Sequence, residues 1–326
     1  MATFPDLGVL SESDGFRTVQ ATKDGRFRQG HDGVRAVAAT GDRKVEFVAF
    51  ERHTMAHVLS AMGAPAYYPV LPVAVEKPLK AVLMDLDGTS VHSEAFWIWM
   101  IQLTTASLLG KVKFELEEAD LPFVSGHSVS EHLQYCIRKY SPGSRVEDAR
   151  AYYFEHVHRE MREIMEGRGR PGAFTPAPGL KEFLLELKGR GTKIGLVTSG
   201  LYEKAMPEII SAFRTLKMGD PLEFYDAIIT AGFPMRRGRE VGTLGELSPK
   251  PHPWLYAEVA RVGLGLTDAD RSLIVGIEDS GAGVCSIRLA GFACIGVGGG
   301  NINDSGTRGL CWEYRETLPE ILKLLA

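Results

Sequence analysis

Lys80-Ala-Val-Leu-Met-Asp85-Leu-Asp87-Gly88-Thr89 decides how the rest of the chain is read. A short apolar run ends abruptly in two carboxylates, the pattern of a buried strand that delivers acids to the edge of a parallel sheet. Ligands of an open α/β sheet bind beyond the carboxyl ends of its strands, so Asp85 and Asp87 are expected to face a crevice rather than the core. A calcium loop fails on spacing: position 89 is Thr, Ser90 stands where the loop needs its Gly, and Phe96 stands where a bidentate Glu should close the cage. A second reading makes Asp85 a nucleophile and Asp87 a proton carrier, with Gly88 turning the backbone so that both point at one small group. A third is a strand end capped by turn-forming residues and nothing more.

Composition narrows the classes around this stretch. The chain has 326 residues, 44% hydrophobic and 24% charged, enough for one large or two ordinary globular domains. A net charge of -4 argues against a nucleic-acid partner, because phosphate-neutralising proteins carry a basic excess. Cys136, Cys285, Cys294 and Cys311 form no C-x-x-C pair and none sits at zinc-ligand spacing from a histidine, which predicts a reduced chain. The first residues lack the basic and apolar regions of a signal peptide, and the apolar stretch Ala95 to Ile101 is far short of the roughly 20 residues a membrane span requires. The expectation is a cytoplasmic protein with no membrane partner. Nothing in the sequence sets an oligomeric state.

Residues 1–78 show short alternating runs separated by Asp24-Gly25, Asp32-Gly33 and Gly41-Asp42, which are hairpin signals. They are read as a small β-rich N-terminal segment, with a helix from about Arg52 to Met62 that puts His53 and His57 on one face. The segment 93–174 is helical in character, with helices starting at Ser93-Glu94, around Val129 to Tyr140 and from Val146 to Met165. Phe96, Trp97, Trp99 and Met100 make the first too apolar for a lone surface helix. A Pro- and Gly-rich return, Arg170 to Gly179, brings the chain back to an amphipathic helix over Leu180 to Leu187 and a strand Lys193 to Thr198.

That strand ends in Thr198-Ser199-Gly200, hydroxyls and a permissive backbone suited to an anion. A third strand, Asp226 to Thr230, precedes a loop over 232–246 with Arg236, Arg237 and Arg239, read as solvated surface or as a site for further substrate anions. Ser248-Pro-Lys250-Pro-His252-Pro fixes a lysine in a backbone too proline-rich to be helical. A helix from about Leu255 to Val262 follows, then a strand Ser272 to Ile277 that ends in Glu278-Asp279, a second pair of acids at a strand end. Two such clusters on one sheet edge would repel without a divalent cation, and oxygen-only ligands favour Mg²⁺. A strand Ala293 to Val297 and a helix near Leu318 to Leu325 complete an α/β layer.

In this order, Asp85-Leu-Asp87-Gly88-Thr89, Thr198-Ser199-Gly200, Lys250-Pro-His-Pro and Glu278-Asp279 resemble the four motifs of the haloacid dehalogenase superfamily. The likeness covers about residues 79 to 300, and the insertion is similar to the helical cap of the β-phosphoglucomutase and phosphoglycolate phosphatase branch. It implies a Rossmann-like α/β core over 79–92 and 175–326, a cap over 93–174 inserted after the first strand, and a small phosphorylated metabolite as substrate. It further implies that Asp85 attacks phosphorus, that Asp87 carries the proton, and that Thr198, Ser199 and Lys250 hold the phosphoryl oxygens. Asp85, the backbone carbonyl of Asp87, and Asp279 would bind Mg²⁺, with Glu278 ligating directly or through water. Dehalogenases lack the acid present here as Asp87. Sugar phosphomutases of the branch carry a histidine where Trp97 stands, and phosphonate-cleaving relatives use a cap lysine, whereas this chain has none in the first cap helix before Lys111. The resemblance thus favours a phosphatase, with a phosphomutase or a non-catalytic binding protein on the same scaffold as alternatives.

Overall fold

The computed structural model describes residues 2–59, 65–120, 129–230, 236–237, 240–241 and 247–326. Two compact units emerge, Met1–Ser90 with Ala177–Ala205 and Met218–Ala326, and Val91–Pro176 with Met206–Lys217.

The first unit is organised by an eight-stranded sheet in the order Glu240–Val241, Arg236–Arg237, Ala227–Thr230, Lys193–Thr198, Ala81–Asp85, Ile274–Glu278, Ala293–Val297, Glu313–Arg315. The six strands from Ala227–Thr230 onward run parallel, and the first two are antiparallel. Ala81–Asp85, Ile274–Glu278 and Ala293–Val297 are buried along their whole length, so their sequences read as continuous apolar runs rather than alternating ones. In register, Val197 lies opposite Asp85 and Ile277 opposite Met84, which brings Asp85, Thr198 and Glu278 to one level at the carboxyl edge. Leu180, Phe183, Leu184 and Leu187 form the buried stripe of the helix Leu180–Gly189. This is the Rossmann-like α/β core that the sequence predicts.

A five-stranded antiparallel sheet belongs to the same unit: Arg17–Val19, Ala36–Ala39, Val45–Ala49, Thr54–Val58 and Ala66–Pro69. Its register aligns Ala38, Phe47, Ala56 and Tyr68 in one row. That row packs into one apolar cluster with Leu255, Tyr256, Val259 and Ile287 of the core. Glu46, His57 and Tyr67 form the neighbouring row, one residue on and therefore on the opposite face.

The helix expected from about Arg52 to Met62 is instead the strand Thr54–Val58, and residues 60–62 of that stretch lie outside the described residues. His57 and His53 consequently do not share a helix face. His57 Nδ1 meets Glu46 Oε2 at 3.0 Å and its ring stacks on Tyr67, while the His53 ring stacks on Phe50. Of the arginine loop, only Arg236–Arg237 and Glu240–Val241 are described, as short strands.

The second unit is helical. Glu94–Leu108, Val129–Tyr140 and Val146–Met165 fall where the periodicity puts them. Phe96 is buried with its ring 4.6 Å from Phe174 and 5.0 Å from Trp97, so the aromatic run packs this unit's own interior. The chain enters and leaves through Val91–His92 and Thr175–Pro176, which pair antiparallel. Arg214 donates to the carbonyls of Ile164 and Met165, at 2.6 Å each, and so satisfies the open end of the helix Val146–Met165.

Asp120 is fully buried and ties the loop after the first of these helices to the second. It accepts from Tyr135 at 2.6 Å, Lys139 at 2.6 Å, the Glu117 amide at 2.9 Å, and Tyr140. Burial alone would raise this carboxyl, but these donors hold it far below the usual carboxylate range.

Candidate active site

Asp85 ends its strand with its side chain buried, and Lys250 Nζ donates to Asp85 Oδ1 and Glu278 Oε1. Lys250 reaches this depth because its loop is held from both ends. Its amide donates to Ser199 Oγ at 3.1 Å, and the neighbouring His252 is buried with its carbonyl accepting from Ser286 Oγ at 2.6 Å. Glu278 has no exposed surface, and its remaining valences are filled by Tyr256 at 2.9 Å and by the Ser280 amide and hydroxyl at 3.1 and 2.9 Å. The helix Gly281–Leu289 starts immediately against it: a Cβ at Gly283 would stand 1.8 Å from the Glu278 carboxyl carbon.

Asp279 packs against the turn that follows the first strand. Thr89 Oγ1 donates to its Oδ1 at 3.3 Å. Gly88 has φ +85, and a Cβ there would lie 2.1 Å from Asp279 Oδ2, so the position excludes side chains by conformation and by space. One carboxylate oxygen from each of Asp85, Glu278 and Asp279 lies within 4.8 Å of the others.

Asp87 points elsewhere. Its Oδ2 accepts from Thr198 Oγ1 at 3.2 Å and its Oδ1 lies 3.7 Å from Lys204 Nζ, with about a third of both side chains exposed. Its carboxylate is therefore apart from the three-acid cluster, and the expectation of a metal contact from Asp87 concerns its backbone carbonyl. Thr198 is buried and its hydroxyl also accepts from the Gly200 amide at 2.9 Å, while Ser199 is exposed.

All seven residues singled out in the sequence, Asp85, Asp87, Thr198, Ser199, Lys250, Glu278 and Asp279, thus gather at one sheet edge. Sequence reading missed Thr89, Lys204 and Tyr256. Thr89 carried a signal, since it closes the first motif; Lys204, in the first turn of the helix Tyr202–Leu216, and Tyr256 carried none.

The cluster's electrostatics set a test for a bound cation. Burial raises the Asp85 carboxyl well above its usual range, and Glu278 adds to the effect more than Lys250 relieves it. Asp279 is raised to about 7 for the same first cause, with Glu278 again next. Three buried acids around Lys250 leave excess negative charge, which a divalent cation compensates. All the donors are oxygens, so the residues present fit Mg²⁺.

A Rossmann-like core with acids, hydroxyls and a lysine on one edge defines an enzyme that acts on phosphoesters. The haloacid dehalogenase-like hydrolase family matches residues 82–226. A β-phosphoglucomutase of Bacillus subtilis (strain 168) is 27% identical over 231 residues, covering 68% of this chain and 84% of that protein. A predicted phosphoglycolate phosphatase of Haemophilus somnus shares the fold at TM-score 0.54 and 16% identity, over 76% of this chain and 98% of its own. CbbY of Rhodobacter sphaeroides, solved with phosphate, does so at 0.51 and 18%, over 74% and 96%. Over residues 82–226 the chain is similar to the haloacid dehalogenase-like hydrolases, and it shares their fold with the solved relatives. Among the described residues no helix is long and apolar enough to cross a membrane.

Proposed function

We propose that the chain is a Mg²⁺-dependent phosphatase of a small phosphorylated metabolite, working through an aspartyl-phosphate on Asp85. The observation that carries this reading is the division of the two motif acids. Asp85 lies in the cation-binding cluster, while Asp87, two residues on, is turned out toward Thr198 and Lys204. Two carboxylates in such different surroundings suit a nucleophile and a proton carrier.

In the first step an Asp85 oxygen bonds to phosphorus as the ester oxygen leaves, and Asp87 gives that oxygen its proton. In the second, water attacks the same phosphorus, Asp87 takes its proton back, and the Asp85 carboxylate and phosphate are released. Thr198, Ser199 and Lys250 hold the phosphoryl oxygens, and Glu278, its oxygens already shared among Lys250, Tyr256 and Ser280, keeps Lys250 aimed at the transfer site. Asp85, Asp279 and the Asp87 carbonyl would hold Mg²⁺, with Glu278 beside them; the ion supplies neutralisation of the acids and of the phosphoryl charge. Residues 93–174 act as the cap that excludes bulk water, and 79–92 with 175–326 as the catalytic core.

A phosphomutase is the second reading, favoured by the name of the Bacillus subtilis relative, while Trp97 stands where that chemistry has a histidine. Phosphate release from a panel of sugar, glycolate, polyol and nucleotide monophosphates, with and without Mg²⁺, separates the two. Metal-dependent release abolished in Asp85→Asn supports the phosphatase. Isomerised hexose 1-phosphate without net release supports the mutase.

A further inference from the structure

We infer that the N-terminal sheet is a brace for the catalytic lysine, acting through one side chain, Tyr68, on His252. The inference rests on the phosphoryl-binding role proposed above for Lys250.

The sheet register selects Tyr68. It stands in the row Ala38, Phe47, Ala56, Tyr68, and the first three of these are small or apolar and fully buried. Tyr68 closes the row as its polar member, and its hydroxyl meets His252 Nδ1 at 2.8 Å, across 184 residues of sequence. The two rings are edge-on at 5.8 Å, and Trp254 adds a second edge contact to Tyr68 at 5.8 Å. His252 has 1% of its surface exposed, and its Nε2 is buried with no hydrogen-bond partner, so Tyr68 supplies the ring's one hydrogen bond among the described residues. Burial holds this imidazole below its ordinary range and lifts the Tyr68 hydroxyl above its own, which makes the contact a neutral one.

His252 is two residues from Lys250 in a loop with little other freedom. Its amide donates to Pro249 O at 3.1 Å, its carbonyl accepts from Ser286 on the helix that starts over Glu278, and the Lys250 amide is tied to Ser199. With prolines at 249, 251 and 253 the backbone offers few donors of its own, so the side chain of His252 is what orients the loop. Lys250 Nζ then falls against Asp85 and Glu278 rather than in solvent. Tyr68 lies outside residues 82–226, the part of the chain that the family matches. Lys250 lies outside that stretch too, and the N-terminal sheet thus fixes a residue of the proposed site, with Tyr68 as a positioning residue.

The test is a double-mutant cycle on the full chain, Tyr68→Phe against Lys250→Met, read as kcat and KM for Mg²⁺-dependent hydrolysis of p-nitrophenyl phosphate, with inhibition by inorganic phosphate and melting temperature measured alongside. Tyr68→Phe keeps the ring and removes only the hydroxyl. The expected result is a loss of about three- to tenfold in kcat and a matching weakening of phosphate inhibition, the size of one lost neutral hydrogen bond. The loss should vanish in the Lys250→Met background, because the effect passes through the lysine. An unchanged kcat in Tyr68→Phe overturns the brace, and so does an equal loss in both backgrounds, which marks a general structural effect. An inactive wild-type chain would instead overturn the phosphatase reading on which the brace rests.

Discussion

At Gly88 two constraints meet in one residue, a positive φ and a carboxylate where a Cβ would go. Gly88→Ala is therefore expected to displace Asp279 and cut activity by at least about a hundredfold, against roughly 1–3 kcal/mol of stability for the strained backbone. Steady-state kinetics beside a thermal melt check the contrast. Glu278→Gln keeps the volume but removes the charge that holds Lys250; kcat should fall about tenfold or more, with phosphate inhibition weakened in step. The acids, hydroxyls and lysine of the site were legible in the sequence because each stands where an apolar strand ends or a proline-rich turn begins. Lys204, Tyr256 and Tyr68 were not, since their roles come from partners 117, 22 and 184 residues away that only the fold brings near.

Among elements, the helical unit hangs on Asp120. Removing a fully buried carboxylate with four donors takes that acceptor from Lys139, Tyr135 and Tyr140, so Asp120→Ala should cost about 3 kcal/mol, read as a lower melting temperature and faster amide exchange in Val129–Tyr140. The carboxyl is depressed in the folded state, so its contribution is complete above the unfolded value near about 4 and is lost as pH falls through the folded value. Stability of the wild type should therefore fall below about pH 4 more steeply than that of Asp120→Asn. Helices Val129–Tyr140 and Val146–Met165 were readable from sequence because their buried positions recur at three and four residues. The stretch 52–62 misled because His53 and His57 share a helical spacing, while Thr54, Ala56 and Val58 also alternate. Long-range pairing with Val45–Ala49 decides between the two periods. The helix Tyr202–Leu216 went unread behind Pro207, a breaker that falls inside it.

Across the whole molecule, the N-terminal sheet shares its apolar interior with the core, with Phe47 and Leu255 in one cluster. Phe47→Ala should then cost about 3–5 kcal/mol, and the N-terminal sheet and the core sheet should still unfold in one transition, seen by coincident tryptophan fluorescence and circular dichroism. The central claim is that Asp85 becomes phosphorylated. Its most direct measurement is acid quench of a single turnover with a reactive phosphomonoester in the Asp87→Asn variant, whose intermediate should hydrolyse slowly, followed by mass spectrometry of the peptide containing Asp85. One phosphoryl group on Asp85, formed only with Mg²⁺ present, is the predicted result. Product formation with that peptide unmodified, together with retained activity in Asp85→Asn, would contradict it.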